Sequence, residues 1–203
     1  MLCKKALTIN KYLSHHTQQR LFYLTGHKEK TKRTYKFKAL TKILLLSDTH
    51  HHIDDRILAY AKEADEVWHA GDIGSLEVTD ALKKQAPLRA VYGNIDSAVI
   101  RSEFPLDQQF TIEKVQVWMT HIGGYPKRYE ARVREALKKN PPHLFISGHS
   151  HILKVMYDPQ LKLLHMNPGA AGKQGFHKVR TLLRFDIDGD KIQQLEVIEL
   201  PKR

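Results

Sequence analysis

Cysteine is almost missing from this 203-residue chain. The one thiol, Cys3, can close no internal disulfide and offers no thiolate set for zinc, which excludes a disulfide-stapled secreted scaffold and makes a reducing, cytoplasmic setting the expectation. Long apolar runs are missing as well. Runs such as Ile43 to Leu46 fall far short of the roughly 20 residues a membrane-spanning helix needs, so no membrane partner is expected. Near the start, Leu7 to Ile9 and Leu21 to Leu24 are interrupted by lysine, histidine and glutamine, leaving no continuous signal-peptide core.

Acid is scarce in one place only. Residues 1–40 hold ten Lys and Arg against Glu29 alone, so +9 of the net charge of +11 sits there and the other 163 residues carry +2. With the polar tract Ser14 to Gln19, this marks 1–40 as a basic extension, read as a poorly ordered tail or a start codon placed too early. It lacks the spaced aromatics interleaved with arginine on which bases stack, so nucleic acid is not the expected partner. A chain of this length, 41% hydrophobic, suits one packed domain, placed at 41–203.

Within that domain, short apolar runs alternate with helical periodicity, which predicts an α/β fold. Strands are expected at Ile43–Ser47, Glu66–Ala70 and Leu88–Tyr92, with amphipathic helices over Asp54–Ala64 and Ser75–Gln85 between them. Gln109–Glu113 and Val115–Thr120 alternate like a hairpin, so the sheet is mixed. A helix over Tyr129–Lys139 stops before Pro141 and Pro142, and Leu144–Ser147 forms the next strand. Two more hairpins flank "DPQ" and "DGD".

Each early strand runs into a polar cluster: "SDTH" after the first, "HAGDIG" after the second, "YGNID" after the third. Strand ends of an open α/β sheet face one crevice, so Asp48, His50, Asp72 and Asn94 should converge, joined by His121 of "MTHIGG" and by His149 and His151 of "ISGHSH". Carboxylate, amide and imidazole without thiolate suit borderline divalent ions, Mn first, with Ni, Fe or Zn as alternatives. Seven ligands are too many for one tetrahedral ion but suit two metals sharing a carboxylate. The i, i+2 pairs Asp48/His50 and His149/His151 would project the same way from extended segments.

In their order, Asp-x-His, Gly-Asp, Gly-Asn, His and Gly-His-x-His, these blocks resemble the calcineurin-like metallophosphoesterases over about residues 42–200. With "MNPGAAG" near the end, the chain looks most like the small bacterial and archaeal phosphodiesterase branch, and is also similar to the retromer subunit sharing that fold. The resemblance implies a four-layer αββα sandwich with mixed β-sheets. It puts Asp48, His50, Asp72 and His151 on one metal and Asp72, Asn94, His121 and His149 on the other, with Asp72 bridging and Asp72, Asn94 and His121 in the catalytic role. The activity implied is hydrolysis of a small phosphodiester by a metal-bridging hydroxide.

The chain departs from that pattern once: "GNID" puts Ile95 where many members carry a histidine that protonates the leaving group, and Ile95 has no proton to give. Among the other histidines, His51 and His52 read as a solvated turn, His69 and His165 as core or supporting residues, and His177 as a group on the substrate side. Lys173, Lys178 and Arg180 read as a solvated basic loop. Two rivals stand beside hydrolysis of a small ester: a metal-binding scaffold that docks a protein, and a nuclease, the latter weakened by the near-neutral charge of the domain.

Overall fold

A computed structural model of the chain describes residues 40–202, so the basic extension expected over 1–40 lies, apart from Leu40, outside the described residues. In chain order the elements are β1 (Thr41–Leu46), α1 (Asp55–Lys62), β2 (Glu66–His69), α2 (Leu76–Lys83), β3 (Leu88–Ala90), α3 (Ala98–Glu103), β4 (Asp107–Ile112) and β5 (Val115–Thr120). They continue with β6 (Gly124–Tyr125), β7 (Arg128–Tyr129), α4 (Ala131–Lys139), β8 (Leu144–Ile146), β9 (Leu153–Asp158), β10 (Leu163–Pro168), β11 (Val179–Asp188) and β12 (Lys191–Pro201).

Two five-stranded mixed sheets face each other, in the orders β12-β11-β1-β2-β3 and β4-β5-β8-β10-β9. β1, β2 and β3 are parallel, as are β5, β8 and β10; antiparallel strands complete each sheet. β1 shows why the layers stack. Its residues alternate faces, and both faces are apolar: Leu44 and Leu46 pack under α1, α2 and α3 with Ile57, Leu82 and Ile100, while Ile43 and Leu45 meet Val117, Met119 and Ile146 of the other sheet. Each such side chain contributes roughly 1.5–3 kcal/mol by leaving water. Beyond the second sheet, Trp118 and Phe145 pack on Val133 and Leu137 of α4. The order is therefore helix, sheet, sheet, helix, which is the expected αββα sandwich.

Local signals set most boundaries. Asp54 caps α1 by accepting from Ile57 N at 3.1 Å, and Glu130 caps α4 by accepting from Arg132 N at 2.9 Å. That cap corrects the expected start of the last helix: Tyr129 belongs to β7, paired with Gly124, and the helix begins at Ala131. The short α3 and the β6–β7 pair were not expected, because six and two residues are too few for periodicity to register. Among the described residues, no helix is long and apolar enough to cross a membrane.

Arg180 is the larger correction. It is not in a solvated loop but on β11, 1% exposed, donating to Pro201 O, Ala171 O and the Asp54 carboxylate at 2.9, 3.3 and 2.8 Å. Lys173 and Lys178 are exposed, as the solvated reading has it. Arg180 therefore ties the cap of α1 to the strand following the "NPGAAG" loop. Arg180→Ala should lower the unfolding free energy by about 2–4 kcal/mol, because it strands buried carbonyls and half of an ion pair. Urea denaturation measures this, and a loss under about 0.5 kcal/mol, the scale of an ordinary surface change, would show the network to be dispensable.

Candidate metal centre

The parallel strands of both sheets end at one rim, and the polar clusters leave from there. Asp48 and His50 follow β1, Asp72 follows β2, Asn94 follows β3, His121 follows β5, and His149 and His151 follow β8. Contacts between the sheets fix the rim: His149 N donates to Asp48 Oδ2 at 3.1 Å, and His121 Nδ1 lies 2.8 Å from Ala70 O. Nδ1–H donated to that carbonyl turns Nε2 of the buried His121 ring towards the site, where it can hold a metal once it has lost its proton.

Two groups of metal-ligand type result, Asp48 with His50 and His151, and Asp72 with His121 and His149, each with donor atoms within 4.8 Å of one another. His50 Nε2 and His151 Nε2 are 3.2 Å apart, and His151 Nε2 is 3.3 Å from Asp48 Oδ1. Asp72 reaches both groups, with Oδ1 3.2 Å from His121 Nε2 and Oδ2 3.6 Å from His50 Nε2. Yet Asp48 Oδ1 and His121 Nε2 are buried and make no hydrogen bond. Leaving buried polar atoms unpaired costs on the order of 1–3 kcal/mol each, which a shared cation would reverse. Oxygen and imidazole donors without sulfur fit a divalent metal pair. Asn94, exposed, lines the same cleft as His121.

The expected extended geometry of the i, i+2 pairs is corrected. Asp48, His50, Asp72, His149 and His151 all have positive φ, at 55, 45, 54, 69 and 56°. A left-handed conformation costs a non-glycine residue about 1–2 kcal/mol, so the backbone is strained at the candidate ligands themselves. Close packing holds it there: a Cβ on Gly93 would lie 2.1 Å from Asp72 Oδ1.

Two residues around the site hold this strain in place. Asp96, buried at the end of "GNID", accepts from Ile73 N, Gly74 N and Gly93 N at 3.2, 2.7 and 2.7 Å, clamping the loops that carry Asp72 and Asn94. Sequence reasoning passed over it, although its place two residues after Asn94 was the available signal. His69 accepts at Nδ1 from Gly71 N at 3.2 Å, and its Nε2 lies 2.9 Å from Thr49 Oγ1, which donates to Ile73 O. Burial lowers the His69 pKa to about 4, which keeps this neutral tautomer in place. His165 is likewise buried, lowered to about 4 by desolvation, with Nε2 3.1 Å from Ser147 Oγ. His51 is exposed, and His52 is half-buried on Asp54. His177 sits beside His151, rings 5.5 Å apart, held by Gly172 O.

Charges within the site oppose one another. Burial pulls His121 down, but the Asp72 and Asp48 carboxylates outweigh it and hold its pKa above 6.5. The Asp48 carboxylate likewise holds His151 above 6.5, whereas burial leaves His50 below. Burial would raise Asp72, but the His121 imidazole beside it outweighs this and keeps the carboxyl low.

The comparisons with known proteins agree with this architecture. Residues 41–190 match the calcineurin-like phosphoesterase superfamily domain. A probable metallophosphoesterase of Methanothermobacter thermautotrophicus is 28% identical over 155 residues, 73% of this chain and 87% of that protein. Among solved structures, wild-type Vps29 of Entamoeba histolytica complexed with zinc superposes with a TM-score of 0.61 at 16% identity, covering 80% of this chain and 99% of that one. A novel archaeal phosphodiesterase superposes with a TM-score of 0.60 at 23% identity, covering 78% and 99%.

Two outcomes follow from this geometry. Asp96→Ala should lower stability by about 3 kcal/mol, leaving three amides without their acceptor, and should weaken Mn²⁺ binding roughly 10–100-fold without touching a ligand. Denaturant midpoints and titration calorimetry read both, and unchanged metal affinity would deny Asp96 this positioning role. Because protons on His121 and His151 compete with metal, Mn²⁺ affinity should fall as pH falls through their raised pKa values and level off above them. Calorimetry from about pH 6 to about pH 8 should show affinity rising with proton release, and a flat profile would contradict the ligand assignment.

Proposed function

Since the chain belongs to the calcineurin-like phosphoesterase superfamily, we propose that it is a metal-dependent phosphodiesterase acting on a small phosphate ester. The observation that carries this is the convergence of two Asp/His groups, each with ligand atoms within 4.8 Å of one another, that include the buried, unbonded Asp48 Oδ1 and His121 Nε2. Asp48, His50, Asp72 and His151 would hold one ion and Asp72, Asn94, His121 and His149 the other, with Mn the first choice and Ni, Fe or Zn as alternatives. Such a pair supplies Lewis-acid charge that makes water nucleophilic near neutral pH and offsets charge on phosphoryl oxygens.

The chain itself positions and neutralises. Asp72 is held by Ile95 N at 3.1 Å, so its two oxygens keep their separate directions. His121 is oriented through Nδ1, and Asp48 through the His149 amide. No serine or cysteine nucleophile is required. Ile95, 42% exposed beside the ligands, leaves that position without a proton donor for the leaving oxygen. The domain is placed at 41–203, because every proposed ligand lies inside it, and a basic segment over 1–40 is taken as accessory.

A second reading, a catalytically weak metal-binding scaffold that docks a protein, has a specific observation in its favour. Vacuolar protein sorting chains recur among the matched structures beside the archaeal phosphodiesterase, so the fold comparisons taken alone lean towards docking. Both readings use the same donor set, and turnover is what separates them.

One assay separates the two. Metal-free protein reloaded with Mn²⁺ should hydrolyse aryl diesters much faster than alkyl diesters, because general acid catalysis worth roughly 10²–10⁴ is missing at Ile95 and basic leaving groups suffer most. Ile95→His should flatten that dependence. No turnover of any diester with both ion sites filled would favour the scaffold, and a flat wild-type dependence would mean that another group, such as His177, supplies the proton.

A further inference from the structure

Beside the second group of ligands lies a cleft of about 410 Å³, within the range of roughly 300–1,000 Å³ usual for small-molecule sites. His121 and Asn94 line it together with Tyr92, Leu106 and Ile122, which supply its apolar walls. Leu106 and Ile122 are 42% and 41% exposed, and two further large apolar side chains, Ile95 and Val99, are exposed on the adjoining stretch of chain. Large apolar side chains grouped around a polar centre mark a surface that is covered during function.

The two arginines on the cleft are tethered to the protein. Arg101 donates through Nε to Asp96 O at 2.8 Å and through Nη2 to Asn94 O at 3.0 Å, and its guanidinium lies 5.0 Å from the Tyr92 ring. Arg132 makes a two-pronged pair with Asp107 at 2.5 and 3.2 Å and reaches Thr120 Oγ1. Glu130 is spent capping α4. These bonds tether both guanidinium groups to the protein, Arg132 on a carboxylate and Arg101 on two backbone carbonyls. What the cleft offers its occupant is mainly apolar contact, from Tyr92, Leu106 and Ile122.

We propose that this cleft receives the organic substituent of the ester, so that the preferred substrate is a phosphate ester carrying a ring-sized apolar group beside His121 and Asn94. This rests on the phosphoesterase reading and deepens it: that reading sets what happens at phosphorus, while Tyr92, Leu106 and Ile122 set which esters arrive.

Binding of non-hydrolysable phosphonates to the full-length, Mn²⁺-loaded chain tests this without requiring turnover. Phenylphosphonate should bind about tenfold tighter than methylphosphonate in titration calorimetry, the order of discrimination an apolar pocket provides. Leu106→Trp and Ile122→Trp, at exposed positions that leave the core untouched, should each bring that ratio towards one by filling the cleft. Equal affinity of the two phosphonates for the wild type would overturn the cleft assignment while leaving phosphate recognition at the metal centre standing. A phenyl preference that survives both tryptophans would also overturn it, by putting the ring elsewhere. If neither phosphonate binds, the phosphoesterase reading and this inference fall together.

Discussion

One buried carboxylate, Asp72, is the constraint around which the site is arranged. It lies between two sets of imidazoles, one oxygen towards His121 and the other towards His50. A carboxylate taken out of water needs compensating charge or hydrogen bonds. The fold provides a backbone amide from Ile95 and the His121 imidazole, and it leaves a shared space where neighbouring donors remain unbonded. The strained backbone at Asp48, His50, Asp72, His149 and His151 persists because Asp96, His69 and the tightly packed glycines hold the loops from behind.

The sandwich serves this arrangement. Three parallel strands in each sheet end at the same rim, so loops distant in sequence meet: Asp48 and His151 are in contact across a separation of about a hundred residues. Apolar residues on both faces of β1 lock the two sheets and the helices into one register, and the ligand positions inherit that rigidity. Flexible loops would not keep five left-handed residues in place.

Much of this was legible beforehand, for physical reasons. β1 and β5 read clearly because buried strands leave apolar runs, and the ligand blocks read clearly because acid and histidine at a strand end are chemically conspicuous. Arg180 did not, since a basic residue in a run of basic residues looks solvated; its burial depends on carbonyls at Ala171 and Pro201 that only the tertiary fold supplies. Asp96 was overlooked because its partners are backbone amides, which leave no mark in the sequence. The i, i+2 spacing suggested extended backbone, whereas the loops turn sharply at each ligand; spacing alone does not distinguish the two. The short α3 lay below the length at which periodicity speaks.

The central claim is that two ions share Asp72. Electron paramagnetic resonance of the Mn²⁺-loaded protein tests it most directly, because two manganese ions joined through one carboxylate couple magnetically and isolated ions do not. The account expects a coupled-pair spectrum in the wild type that gives way in Asp72→Ala to uncoupled manganese or to none bound. A wild-type spectrum of isolated ions at full occupancy, or a coupled pair that survives Asp72→Ala, would contradict it.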